Sequence, residues 1–133
     1  MATVNSNSKP RMCNISTTLS CMLRCKMCYH WQHDERNIRR PTVDEWKKFI
    51  YSLKGEVASD FQLVFGGGEP LLFPEELIEL ISFASGIGFS TVLSTSAHTV
   101  DERYAERLVK AGLKDIGVTI FSLNPEVHDY VRG

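Results

Sequence analysis

FQLVFGGGEP, residues 61–70, is the segment from which the architecture of this chain can be inferred. Residues 61–65 form a short, mostly apolar run, which is typical of a strand buried on both faces of a sheet. Three glycines end the run, and without Cβ atoms they let the backbone turn with positive φ and approach a ligand closely. The segment therefore predicts a buried strand that leads into a tight turn, where Pro70 restrains Glu69 to an extended conformation.

Further strand-like runs lie on both sides of this segment. Four runs in all have the composition of strands: residues 11–19, 61–65, 90–94 and 116–121. The last three begin at residues 61, 90 and 116, a spacing typical of consecutive βα units. The polar residues 30–40 show no periodicity and are predicted to form a long connection.

Helix starts and ends can be located between these strands. The predicted starts are a capping box of Thr42 with Glu45, Pro74 in a first turn, Thr99 as an N-cap, and Asn124 ahead of Pro125. Glycines are predicted to end the first three helices: Gly55, Gly86 and Gly112. Those helices carry apolar stripes at helical spacing: Trp46, Phe49, Ile50 and Leu53; Leu77, Leu80, Ile81 and Ala84; and Tyr104, Ala105 and Leu108.

This alternation predicts an α/β fold. Because crossovers between parallel strands are right-handed, the strands are expected to share one curved parallel sheet with the helices outside it. The loops that follow the strands then lie together at the carboxyl edge, where α/β proteins bind their ligands. Four loops are expected at this edge: residues 21–28, 66–70, 95–98 and 122–124.

The first of these loops contains three cysteines, Cys21, Cys25 and Cys28, at C-x3-C-x2-C spacing. Thiolates this close in sequence can converge on one metal centre, and soft sulfur ligands select iron–sulfur clusters, zinc or copper(I). Three cysteines leave one iron of a 4Fe–4S cubane without a protein thiolate, so that iron can bind a small molecule. The fourth cysteine, Cys13, lies on the predicted first strand and is expected to be a small buried apolar residue.

Composition limits the remaining classes of function. The 133 residues are 43% hydrophobic and 23% charged, the profile of one globular domain, and a net charge of −1 gives no general case for nucleic-acid binding. No apolar run is long enough for a membrane span or a signal peptide, and residues 1–10 are expected to be a disordered polar tail. A cytoplasmic location is expected, where clustered cysteines indicate metal ligands rather than disulfides.

The charge is unevenly distributed along the chain. Residues 1–54 contain ten Lys or Arg against four acidic residues, whereas residues 55–133 contain five against twelve. Solvated helix faces are one explanation of this asymmetry, and an acidic partner that docks near the cysteines is the other.

The loop CMLRCKMCY, residues 21–29, resembles the cluster loop of the radical S-adenosylmethionine (radical SAM) superfamily. The resemblance implies a 4Fe–4S cluster held by Cys21, Cys25 and Cys28. Its fourth iron would chelate S-adenosylmethionine, and reductive cleavage of that cofactor would give a 5'-deoxyadenosyl radical that abstracts hydrogen from a substrate. The implied fold is a partial, TIM-like barrel of parallel βα units, of which this chain contains about four.

The glycine turn is similar to the GGE motif of the same superfamily, whose backbone binds the amino group of S-adenosylmethionine. Ser122 resembles the polar position at the end of the fourth strand that contacts the cofactor, although a serine that caps a turn fits the sequence as well. The resemblance therefore implies five cofactor-binding residues: Gly66, Gly67, Gly68, Glu69 and Ser122. The sequence points to no catalytic residue.

Weaker similarities extend along the chain. Residues 93–98 lie where many members have a Thr-Asn-Gly turn, with Ser96 and Ala97 replacing the last two residues. HDYVRG, residues 128–133, resembles an HD-x-x-RG stretch of the peptide-modifying and molybdopterin-type branches, in which Arg132 could meet a carboxylate or lie on a helix surface. Met27 departs from the aromatic residue that often precedes the third cysteine.

Radical SAM cores resemble a six-unit partial barrel, so residues 11–133 are expected to be the N-terminal portion of a longer enzyme, and this portion alone is expected to give little or no productive turnover of a substrate. Its substrate, a peptide or a small molecule, cannot be identified from this portion, and a flavodoxin or ferredoxin is the expected electron donor. The alternative from a different class is a non-catalytic module. Such a module would be an iron–sulfur electron carrier or a zinc site completed by His30 or His33.

Overall fold

The computed structural model describes residues 8–32 and 38–133, and within them four strands alternate with four helices. In chain order these elements are β1 Met12–Thr18, α1 Val43–Ser52, β2 Gln62–Gly67, α2 Pro74–Gly86, β3 Ser90–Thr95, α3 Glu102–Lys110, β4 Asp115–Val118 and α4 Pro125–Arg132. Two short 3-10 helices, His30–Gln32 and Pro70–Leu72, follow the cysteine loop and the glycine turn. Most of the predicted polar tail falls outside the described residues.

The four strands form one parallel sheet in the order β1-β2-β3-β4. Phe65 of β2 is paired with Ile15 of β1 and with Leu93 of β3, and Leu93 is paired in turn with Ile116 of β4. The predicted α/β fold of parallel βα units is therefore confirmed. The sheet is not closed.

The core lies between this sheet and the helices. Most residues of the predicted stripes are buried there with the inward-facing strand residues: Ile15, Leu63, Phe65 and Leu93 from the sheet, and Ile50, Leu77, Leu80, Ile81, Ala84 and Leu108 from the helices. Trp46, Leu53 and Tyr104 are partly buried against this core. Phe49 is not part of it, because 40% of it is exposed and its ring meets that of Trp46 edge to face, 6.0 Å between centroids. α1 therefore packs on the core through a narrower stripe than its sequence predicts.

The capping box predicted at the start of α1 is present. Thr42 accepts a hydrogen bond from the Glu45 backbone N–H, and the Glu45 carboxylate accepts one from the Thr42 backbone N–H. The Arg39 guanidinium forms a further, bidentate pair with Glu45, and together these donors lower the pKa of the carboxyl to about 2. α1 ends at Ser52, and Gly55, predicted to end it, adopts φ of +90° in the turn that follows.

The N-cap predicted for α3 is wrong. Asp101 rather than Thr99 caps the helix, because its carboxylate accepts a 2.7 Å hydrogen bond from the Tyr104 backbone N–H. Aspartate and threonine are both good N-caps, so the sequence alone did not separate two candidates that lie two residues apart.

A pair of variants distinguishes Asp101 from Thr99 as the N-cap of α3. Asp101→Ala is expected to lower the free energy of unfolding by about 1 kcal/mol, the usual cost of removing an N-cap side chain. Thr99→Ala, at the wrongly predicted cap, is the matched control and is expected to change it by less than about 0.5 kcal/mol. Urea denaturation measures both, and an equal loss in the two variants would contradict the assignment of the cap.

β4 is shorter than predicted, covering Asp115–Val118 instead of residues 116–121. Within the described residues it pairs with β3 only, and Ile116 and Val118 are each 44% exposed. In the described part of the chain, no helix combines the length and the apolar character that crossing a bilayer requires.

Candidate metal centre

The loops at the carboxyl edge surround a cavity of about 180 Å³. All three cysteines of the first loop line it, together with residues from the ends of the other strands and from α4: Leu23, Met27, Gly67, Gly68, Glu69, Ser94, Thr95, Ser96, Thr119, Phe121 and Arg132. Three of the four loops predicted to meet at the carboxyl edge thus contribute to the cavity, whereas the fourth, residues 122–124, does not line it, and Thr119 and Phe121 do.

Local hydrogen bonds shape the cysteine loop. The Cys28 N–H donates to the Cys25 carbonyl (2.9 Å), and the Trp31 indole N–H donates to the same carbonyl (3.0 Å). Cys25 is buried, with 8% exposed, while Cys21 and Cys28 are half-buried. Cys13 lies on β1, paired with Leu63 and packed against the core, away from the lining of the cavity.

The environment of Cys21 disfavours its thiolate. Burial raises the pKa of the Cys21 thiol, and the negative charges of Glu69, Cys25 and Cys28 act in the same direction. The Leu23 N–H opposes them by donating to the Cys21 sulfur at 3.4 Å. Since only a thiolate binds metal, a cation at this site would have to offset the cost of deprotonation.

The donor set fits a cluster. Among the described residues, no three His, Cys, Asp or Glu side chains lie close enough to share a single metal ion. A cubane places each thiolate on a different iron, so the three sulfurs need not surround one ion. Three thiols that line one cavity therefore fit a 4Fe–4S cluster, which Cys21, Cys25 and Cys28 would hold, and a cluster with three protein thiolates would keep one iron for a small-molecule ligand.

His30 and His33 are the two histidines that could complete a zinc site. His33 lies outside the described residues. His30 stacks on Tyr29 with 4.6 Å between ring centroids, in the short helix after the cysteine loop.

The glycines of the turn differ in position. Gly66 is buried inside β2 and does not line the cavity, whereas Gly67 and Gly68 do. Beyond the paired strands, the Gly68 N–H donates to the Thr18 carbonyl and the Glu69 N–H to the Ser20 carbonyl, both at 2.8 Å. Two amides of the turn are therefore already bonded to the segment that leads into Cys21.

The Glu69 carboxylate is hydrogen-bonded mainly to the loop that follows β3. It is 1% exposed and accepts hydrogen bonds from the Thr95 hydroxyl (2.6 Å), the Leu71 N–H (3.1 Å), and both the N–H (2.9 Å) and the hydroxyl (2.6 Å) of Ser96. A buried carboxylate with four donors is well satisfied without a ligand. Its side chain joins the ends of β2 and β3.

Ala97 keeps the turn after β3 in a glycine-like conformation. Its φ is +57°, and it is the one non-glycine residue with positive φ in the described part of the chain. The Thr95 hydroxyl accepts its N–H at 3.0 Å, which holds the turn in place. Ala97 therefore stands in a left-handed conformation that glycine adopts more readily than alanine.

Ser122 lies outside the lining of the cavity. Its hydroxyl accepts a 3.0 Å hydrogen bond from the Asn124 N–H, at the start of α4. The sequence was compatible with two roles for Ser122, a cofactor contact and the capping of a turn, and this hydrogen bond is the capping arrangement.

Arg132 is the residue that the structure adds to the site. Its guanidinium lines the cavity, lies 3.9 Å from the Cys25 sulfur and donates to the Ser96 carbonyl at 3.4 Å. The similarity of residues 128–133 to an HD-x-x-RG stretch pointed to Arg132, but the sequence was equally compatible with an arginine on the surface of a helix.

α4 also holds the cysteine loop through backbone contacts. The Lys26 N–H donates to the Val131 carbonyl at 2.9 Å, and the Lys26 ammonium lies 2.9 Å from the centroid of the Tyr130 ring. The cysteine loop is thus in contact with the glycine turn on one side and with the end of α4 on the other.

The parallel βα units place three thiols and a glycine turn around one cavity at the carboxyl edge. This arrangement defines a class of α/β proteins in which thiol ligands for a soft metal lie beside a turn that a ligand can reach. The model of the Radical SAM superfamily matches residues 15–133, and this chain belongs to that superfamily. The superfamily uses a 4Fe–4S cluster and S-adenosylmethionine.

Curated proteins with similar sequences are longer than this chain. An AdoMet-dependent heme synthase of Methanosarcina barkeri is 32% identical over 126 residues, 93% of this chain and 35% of that protein. A PqqA peptide cyclase of Bradyrhizobium diazoefficiens is 32% identical over 119 residues, 90% of this chain and 30% of that protein. The chain thus spans about a third of the length of these relatives.

Solved structures share the fold. SuiB of Streptococcus suis, bound to S-adenosylmethionine, gives a TM-score of 0.78 at 18% identity, over 93% of this chain and 28% of that one. Methylornithine synthase (PylB) gives 0.69 at 21% identity, over 96% of this chain and 38% of that one. The four parallel units match part of the TIM-like barrel of these neighbours.

Proposed function

We propose that this chain is the part of a radical SAM enzyme in which Cys21, Cys25 and Cys28 hold a 4Fe–4S cluster beside the S-adenosylmethionine site. The proposal rests on the convergence of the three cysteines and the glycine turn on one cavity. When both groups are bound, reductive cleavage of the cofactor supplies a 5'-deoxyadenosyl radical for hydrogen abstraction.

Each residue of the cavity has a distinct part in this proposal. The glycine turn presents the backbone of Gly67 and Gly68 to the methionine moiety. The carboxylate and the N–H of Glu69 are both occupied, so its carbonyl oxygen, which accepts one hydrogen bond from the Leu72 N–H, is the group left for a contact with the cofactor. Arg132 supplies positive charge for the cofactor carboxylate, a role suited to a planar guanidinium. A contact from Gly66 or Ser122 would require rearrangement, since neither lines the cavity.

Formation of 5'-deoxyadenosine tests the function directly. The chain would be reconstituted with iron and sulfide without oxygen, reduced with dithionite and given S-adenosylmethionine. 5'-Deoxyadenosine and methionine are expected to form in equal amounts, and the Cys25→Ala variant is expected to form neither. A reconstituted chain that binds the cofactor without cleaving it would contradict the proposed function.

For the substrate, we propose a peptide or a small molecule, because one relative is named a peptide cyclase and another is a heme synthase. Deuterium transfer from a labelled substrate into 5'-deoxyadenosine would identify it. The absence of transfer from every peptide tested, with transfer from a small molecule, would exclude the peptide class.

For the electron donor, we propose an acidic flavodoxin or ferredoxin that docks at the cysteine loop, where Arg24 and Lys26 are exposed on either side of Cys25. Exposed charges steer association over a Debye length of about 8 Å at physiological salt.

Arg24→Glu is expected to slow reduction at low salt by about tenfold. Lys48→Glu, an exposed lysine on α1, is the control and is expected to change the rate little, and a rate indifferent to salt would contradict the docking proposal.

A further inference from the structure

The glycine turn determines where the cysteine loop begins. β1 and β2 keep one register up to the pair Ser16–Gly66, and β1 then gains a residue, so that Thr18 pairs with Gly67. Past this irregularity, the Gly68 N–H donates a hydrogen bond to the Thr18 carbonyl, and the Glu69 N–H donates one to the Ser20 carbonyl. Cys21 follows Ser20 directly, so its position depends on these backbone hydrogen bonds.

Neither Gly67 nor Gly68 has room for a side chain. A Cβ on Gly68 would lie 2.5 Å from the Leu19 carbonyl oxygen and closer still to that of Ser20. A Cβ on Gly67 would overlap the Thr18 carbonyl oxygen, and its φ of +121° already favours glycine. All of these neighbours are backbone atoms, so no change of rotamer can relieve the overlap.

Gly66, in the same turn, is different. A Cβ there would lie 3.1 Å from Asn14 Oδ1, the end of an exposed side chain, and 3.8 Å from Ser94 Cβ. Within this turn, the tight approach to backbone is thus confined to Gly67 and Gly68, the two glycines that face the entry to the cysteine loop.

We propose that Gly67 and Gly68 are positioning residues for the first metal ligand, Cys21. Carbon and oxygen atoms in contact are about 3.3 Å apart or more, so a methyl group at position 68 would move the Leu19–Ser20 backbone by about 1 Å. Metal–ligand distances tolerate only about 0.2 Å. Glycine at these positions is therefore required by the metal centre, independently of any contact that the turn makes with a cofactor.

Cluster content of matched glycine variants tests this inference, which rests on the proposed function where it invokes the cluster. Gly68→Ala is expected to hold about tenfold less iron and sulfide than the parent chain, the effect of losing a residue that orients a metal ligand. Gly66→Ala and Gly86→Ala, the latter at the end of α2 where a Cβ would meet open space, are expected to stay near the parent content. Full cluster content in Gly68→Ala, with weaker binding of S-adenosylmethionine, would overturn the inference.

An apoprotein measurement separates this inference from the proposed function. In the metal-free chain, iodoacetamide is expected to alkylate Cys21 severalfold faster in Gly68→Ala than in the parent, with Cys13 as the internal reference. A parent chain that takes up no iron would contradict the proposed function, while the alkylation rates would still decide the positioning role. Equal rates in the two chains would overturn it.

If Gly68→Ala does not fold, hydrogen exchange in the parent chain tests the positioning role of the glycine turn. The amides of Gly68 and Glu69 donate to Thr18 and Ser20, so both are expected to be protected from hydrogen exchange in the metal-free parent. Exchange at these amides as fast as in an unstructured chain would overturn the inference.

Discussion

The variant Cys25→Ala is expected to contain no iron–sulfur cluster after anaerobic reconstitution. Cys25 is the most buried cysteine of the loop and lines the cavity with Cys21 and Cys28. If each thiolate holds a different iron, its loss leaves two irons without a protein ligand, and the cluster does not assemble. Iron and sulfide content and the visible absorbance of the cluster measure the effect.

Cys13→Ser is the matched control for this prediction. Cys13 sits on β1 opposite Leu63 and packs against the core, so its sulfur belongs to the fold and not to the cavity. The variant is expected to keep nearly the full iron content of the parent. Equal loss of iron from both variants would contradict the assignment of the ligands.

The variant Phe65→Ala is expected to lose a large part of the stability of the chain. Phe65 is fully buried and is paired with Ile15 on one side and Leu93 on the other, one residue before the glycine turn. Removal of a buried phenylalanine side chain costs about 3–5 kcal/mol, out of the roughly 5–15 kcal/mol that holds a typical domain folded. A lower urea midpoint and lower cluster content are expected together, since the strand that carries the turn depends on this contact.

Phe49→Ala removes the same side chain from an exposed position. Phe49 meets Trp46 on the surface of α1, and its loss is expected to cost about 1.5 kcal/mol or less, the range for an aromatic pair. The core assignment would be contradicted if Phe49→Ala cost as much as Phe65→Ala.

The architecture could be predicted because its signals are local. Apolar runs of strand length, helix caps and stopping glycines follow one another along the chain, and the parallel connection rules then fix the edge at which the loops meet. The capping box at Thr42, the stripe from Leu77 to Ala84 and the meeting of the cysteine loop with the glycine turn all follow from such signals. Each of these features depends either on residues that are near one another in sequence or on the rule that parallel strands end at the same edge of a sheet.

What the sequence does not predict depends on contacts between distant segments. A glycine beside a ligand and a glycine beside another backbone look the same in a sequence. The turn was expected to face the cofactor, and its Gly67 and Gly68 are also packed against residues 18–20. The position of Arg132 at the cavity likewise depends on how the end of α4 meets a loop about a hundred residues earlier.

The exposure of Phe49 has the same origin. Periodicity placed it on the stripe of α1, but the contact area depends on how closely α1 approaches α2 and the sheet, which the sequence of α1 alone does not contain. The choice between Thr99 and Asp101 as the cap of α3 also depended on tertiary context, because either residue can cap a helix in isolation.

Electron paramagnetic resonance of the reduced, reconstituted chain, with and without S-adenosylmethionine, shows whether the chain holds a cluster with one iron open to this cofactor. We expect iron and sulfide in the proportions of a 4Fe–4S cluster and a spectrum that changes when S-adenosylmethionine is added. A chain that holds zinc without sulfide, or a cluster whose spectrum is unaltered by the cofactor, would contradict this expectation.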